Sequence, residues 1–257
     1  MDATDVLIWA LVIAAAVLFT VVRMWRRHIR KQAGAIHSVA ENIRLLRRMA
    51  GVAPRLEPVT AATPVPEGLA PLTRELEAAG FRILGDRVER HPEGGVSGVA
   101  RWFVSGDGLS FGWVGVTAAG PAAMLLVSED PATGFLTTMR APDAPSVAVP
   151  PSVRQRRVGW EEGLDAAVRA HAEGLAELEN PMRITDLDTA LASFGRLYGL
   201  VGAWRSVQDP DRLLEEDVRR IVGGRYEGFD TILIEMVRSL DSIDDAMAEM
   251  ERRARAR

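Results

Sequence analysis

From Val6 to Val22 the chain reads VLIWALVIAAAVLFTVV, seventeen residues with no charge, glycine or proline. A run apolar on every side predicts a helix in lipid, where backbone groups must satisfy one another. At 1.5 Å per residue it measures about 25 Å, slightly less than the ~30 Å hydrocarbon core of a bilayer. Trp9 and Trp25 flank it as interfacial aromatics do, and Arg23, Arg26, Arg27, Arg30 and Lys31 follow it directly. Asp2 and Asp5 precede it, where a cleaved signal peptide would carry positive charge. The one-sided arginines place the amino terminus outside and the body in the cytoplasm. The expectation is a single-pass protein of the inner (plasma) membrane, with the bilayer as its first partner.

Residues 26–50 predict a basic amphipathic helix. Ile29, Ala33, Ile36, Val39, Ala40, Ile43, Leu46 and Met49 share one stripe, opposite Arg30, His37, Glu41, Arg44 and Arg48. It reads equally as a short coiled coil, a helix lying on headgroups, or a continuation of the anchor that packs on the body. Residues 51–68 contain Pro54, Pro58, Pro64 and Pro66 without an apolar period, which predicts an extended spacer.

The pattern then turns to period two. A short helix over 69–79 ends at Gly80. Strands are expected at 81–90, 99–105, 109–117, 122–128 and 135–140, separated by Gly-, Asp- and Pro-containing turns. Asp107-Gly108 is the strongest hairpin signal. Consecutive hairpins predict a small antiparallel sheet, with the Pro-rich 141–151 as an irregular edge.

From Trp160 onward the period returns to 3.6. Leu164, Ala167, Val168, His171, Leu175 and Leu178 form one stripe, and Leu187, Leu191, Phe194, Leu197, Tyr198, Val201 and Trp204 form another. The second approaches the length of a membrane span, but Arg196 at its middle argues for a buried helix of a folded domain. Gly195, Gly199 and Gly202 suit close helix packing there. A short helix over 211–222 follows. The last helix, 229–257, carries Phe229, Leu233, Met236, Leu240, Ile243, Met247, Met250 and Ala254 in alternating steps of four and three. That heptad seam predicts pairing with another helix, in the same chain or in a second copy.

The predicted fold class is therefore α+β: a single amino-terminal transmembrane helix, a basic juxtamembrane helix, a small antiparallel sheet, then helices ending in a heptad-patterned one. The expected divisions are 1–25 anchor, 26–50 juxtamembrane helix, 51–68 linker, 69–150 β-rich part, 151–227 helical part and 228–257 coiled-coil-like helix.

Charge sharpens this picture. Residues 1–50 hold eight basic and three acidic side chains, a net +5, and the overall −4 leaves −9 on the remainder. An acidic body argues against nucleic acid as partner. The absence of cysteine excludes disulfides and thiolate metal sites. Lys31 is the only lysine, which reads as a GC-rich bacterial coding bias.

Candidate chemistry is sparse. The glycines near 106–115 lack a phosphate-binding signature, and Asp241, Asp244 and Asp245 read as a solvated helix face. No cofactor or metal is implied. Trp102 and Trp113 read as core aromatics before ligand-stacking ones. Arg154, Arg156 and Arg157 read as a solvated basic patch or a second contact with anionic lipid. His171 is the one catalytic candidate, because it interrupts an apolar stripe; Glu162 and Asp165 are the nearest carboxylates for proton transfer. The sequence favours a membrane-anchored, non-catalytic binding or scaffold module with a protein partner or self-association through its seams. The alternatives are an enzyme centred on His171 and a regulator that binds anionic lipid through its basic helix.

Overall fold

Seven strands build one sheet in chain order: β1 (Arg55–Pro58), β2 (Phe81–Arg90), β3 (Gly98–Ser105), β4 (Phe111–Thr117), β5 (Gly120–Asp130), β6 (Gly134–Ala141) and β7 (Val153–Gly159). The computed structural model describes residues 34–60, 68–90, 98–117, 120–141, 146–222 and 228–255. Each neighbouring pair is antiparallel except β6 and β7, which run parallel. The β3–β4 hairpin turns where expected. Gly108 takes φ +77°, and the Asp107 carboxylate accepts from the Ser105 hydroxyl at 2.6 Å and the Leu109 N–H at 3.0 Å.

Alternation along the strands gives the sheet two buried faces. Phe81, Phe103, Val114 and Leu126 pack under Leu69 and Leu76 of α2 (Leu69–Ala78) and Leu164 and Ala167 of α3 (Gly163–Leu175). On the other face Trp102, Phe111, Leu125 and Val127 meet Ala190, Phe194, Leu197 and Val201 of α4 (Leu187–Ser206). Trp102 lies parallel to Phe111 at 6.5 Å and edge-on to Phe194 at 5.0 Å. Arg196 anchors α4 to the sheet by a two-point contact with Glu129, at 2.8 and 2.7 Å.

Three helices remain: α1 (34–49), α5 (Pro210–Val222) and α6 (Asp230–Arg255). The chain divides into two compact units, Leu45–Glu227, which holds the sheet, and Met1–Arg44 with Gly228–Arg257. In the second unit Arg44 bridges to Asp241 at 2.8 Å and to Asp244. Of the heptad positions, Leu233 is buried and Met236 and Leu240 are half-buried, whereas Ile243, Met247 and Met250 are exposed.

The structure corrects the expected fold class. The sheet is not small and antiparallel but seven-stranded and mixed, with helices on both faces. Two strands account for the difference. β1 sits among the prolines of 51–68, and an edge strand tolerates Pro58 because one side of its backbone needs no partner. β7 lies beyond the Pro-rich 141–151 and runs parallel to β6. Its arginines hid it. Arg156 pairs with Glu173 of α3, and both Arg154 and Arg156 pair with Glu177 just beyond that helix, while Val153 faces the α4 side.

The membrane assignment is corrected as well. Among the described residues no helix is long and apolar enough to cross a membrane. α4 and α6 have sufficient length, but α4 carries Asp188, Arg196 and Arg205 and α6 is densely charged. The single-pass, transmembrane reading and the inner-membrane location are therefore withdrawn. The run 6–22, with Trp9, Arg23, Trp25, Arg26, Arg27, Arg30 and Lys31, lies outside the described residues.

One of the three α4 glycines makes a close approach. A Cβ on Gly202 would lie 2.6 Å from the Gly51 carbonyl oxygen, and Gly51 itself has φ +80°. Gly195 and Gly199 face open space. Gly199→Ala should therefore raise stability by about 0.5–1 kcal/mol through helix propensity. Gly202→Ala should lower it by about 1–3 kcal/mol through overpacking. Paired urea denaturation curves test this; two shifts of the same sign would contradict it.

Candidate functional site

His171 projects from α3 onto the sheet and is 3% exposed. Its Nδ1 lies 2.9 Å from the Thr138 hydroxyl and its Nε2 3.0 Å from the Ser128 hydroxyl. The Ser128 hydroxyl also lies 2.8 Å from the Leu109 carbonyl and 3.0 Å from the Ser110 hydroxyl. Neither His171 bond goes to a carboxylate. Glu162 instead accepts the Gly159 N–H at 2.7 Å, and Asp165 is exposed. The adjoining recess of about 270 Å³ includes Asp107, whose carboxylate is already engaged in the hairpin. His171 thus joins β5 and β6 to α3 through two hydroxyls.

Burial, reinforced by the Arg156 charge, lowers the His171 pKa from 6.5 to about 4. The unfolded chain therefore takes up this proton near pH 6.5, and the folded protein only near pH 4. The contribution to stability is complete above the unfolded value and is lost as pH falls through that window. At about 1.4 kcal/mol per unit the loss approaches roughly 3 kcal/mol. Urea unfolding between pH 7 and 4.5 should show this slope, and His171→Gln should flatten it. An unchanged slope in the variant would contradict the assignment.

The opposite face of the sheet holds a different kind of site. A cavity of about 400 Å³ lies between the sheet and α4. Trp113, Leu125, Met139 and Val153 wall it from the strands, and Leu197 and Val201 from α4. Leu46, Met49 and Gly51 also line it, as do Ser146 and Val149 from the segment before β7. This size falls within the range of small-molecule sites, roughly 300–1,000 Å³.

Its few polar groups are unusual. The Trp113 Nε1, Ser146 Oγ and Gln155 Oε1 atoms are buried and have no hydrogen-bond partner. An orphaned buried donor or acceptor costs about 1–3 kcal/mol. Burial raises the pKa of Glu89, and burial together with the Glu89 charge raises that of Tyr198; both residues line the cavity.

The segment before β7 is held by a buried ionic cluster. Asp217 of α5 is fully buried and accepts from the Ala148 N–H at 2.7 Å. Arg205 of α4 contacts Asp217 at 2.6 Å and the Ala148 carbonyl at 2.9 Å, and Arg47 approaches Asp217 at 3.2 Å. Asp217 thus fixes the segment that carries Ser146 and Val149.

Few of these lining residues stand out in the sequence. Trp102 and Trp113 read alike there, but only Trp113 borders the cavity, while Trp102 is core. Tyr198 sits within an apolar stripe. The alternation Val153, Gln155, Arg157 was a strand signal concealed by the neighbouring arginines. Among the described residues no cluster of His, Asp or Glu could hold a metal. Compared with known proteins, the chain matches no family model, no curated protein and no solved structure.

Proposed function

We propose that this chain is a non-catalytic binding module and that its ligand is a small, largely apolar molecule held between the sheet and α4. One observation carries the reading: a largely apolar cavity of about 400 Å³ lies between the sheet and α4. A packed core closes such a space, because voids destabilise. A ligand offsets that cost by filling the volume. The His171 geometry gives the enzymatic alternative no comparable support.

Binding of the neutral fluorophore N-phenyl-1-naphthylamine tests the proposal. The protein should bind it saturably, one per chain. Ala123→Phe and Val149→Phe each fill part of the cavity and should weaken binding by about tenfold or more. Val207→Phe, at a position 77% exposed, should not. Unsaturable fluorescence, or binding untouched in folded forms of both filled variants, would overturn the proposal.

A further inference from the structure

A second space adjoins the cavity through one residue. Arg157 lines the apolar cavity and also an open cleft of about 460 Å³, whose other walls are Arg212, Glu216, Arg219 and Arg220 of α5. Four guanidiniums and one carboxylate line it, with Glu215 beside it. Glu216 pairs with Arg220 at 2.8 Å, and Arg219 pairs with Glu215 at 3.6 Å, each one turn apart on α5. Arg157 Nη1 donates to the Arg220 carbonyl at 3.3 Å, which ties β7 to the end of α5. Although residues 51–257 carry net −9, this cleft is a local concentration of positive charge.

The cavity is polar in a definite direction. Glu89 comes from β2 and Arg157 from β7, on opposite sides of the sheet order. An anion at the Glu89 end would meet a half-buried carboxyl, whereas at the Arg157 end it meets arginines suited to phosphate or carboxylate.

We infer that the ligand is an anionic amphiphile: its apolar chain fills the cavity and its phosphate-like head lies in the arginine cleft. The inference rests on the binding reading above and adds to it the ligand's charge and orientation. Three properties support it together: apolar volume, an adjoining cationic cleft and a shared arginine. A neutral ligand leaves the cleft unexplained, and a free anion leaves the cavity unexplained.

Calorimetric titration of the full chain with decyl phosphate, decanol and inorganic phosphate tests it. Decyl phosphate should bind about tenfold or more tightly than decanol, and added salt should shrink the difference. Arg212→Gln with Arg219→Gln should abolish the difference and leave decanol affinity unchanged; both positions are exposed, so the fold should tolerate them. If decanol binds as well as decyl phosphate, the anionic head is wrong and the cavity reading stands. If inorganic phosphate binds as tightly as decyl phosphate, the cleft is a separate anion site and the linkage is overturned. If neither amphiphile binds, the cavity reading fails with it.

Discussion

Asp217→Ala is expected to destabilise the protein by about 3–5 kcal/mol, because it leaves a buried cation without its partner. Arg205 is only 9% exposed at its side chain, and Asp217 is its bidentate acceptor, at 3.2 and 2.6 Å. The same substitution strands the Ala148 N–H and releases the wall that carries Ser146 and Val149. Calorimetric melting should therefore shift steeply downward, and fluorophore binding should weaken in the fraction that remains folded. Replacing the pair together, as Asp217→Leu with Arg205→Met, should recover much of the loss, since buried ion pairs contribute little over apolar residues of similar volume. A single variant as stable as the parent would show that water reaches the cluster.

Trp102→Ala should cost a comparable amount, about 3–5 kcal/mol. Its ring is 1% exposed and connects Phe111 on the sheet with Phe194 on α4. The indole N–H has no partner, so the loss is one of packing and not of a hydrogen bond. Trp102→Phe should return about half of it. Chemical denaturation measures both; a loss below about 1 kcal/mol for the alanine variant would place the core elsewhere.

Much of the sheet was legible because alternation and turn chemistry are local. β2 was expected at its observed bounds, and β3 to β6 lie within two residues of theirs. The two strands that were missed each carry a misleading local signal. Prolines bracket β1, and β7 reads VRQRRVG, where pairing of Arg154 and Arg156 with Glu177 and Glu173 replaces the apolar alternation of a buried face. Parallel pairing across a crossover is nonlocal and leaves no period to find. The cavity was illegible for the same reason on a larger scale. Glu89, Trp113, Gln155 and Tyr198 are distant in sequence, and each alone is an ordinary strand or helix residue. His171 was visible as an anomaly in an apolar stripe. Its role depended on Ser128 and Thr138, which alternation places among core residues without distinguishing them.

Methyl chemical shifts report directly where an apolar ligand binds. With ¹³C-methyl-labelled methionine, titration with decanol should move the Met139 resonance, because that side chain lines the cavity between the sheet and α4. The Met124 resonance, buried on the opposite face with α2 and α3, should stay in place. Equal movement of both, or a Met139 signal unchanged at saturating decanol, would contradict the account.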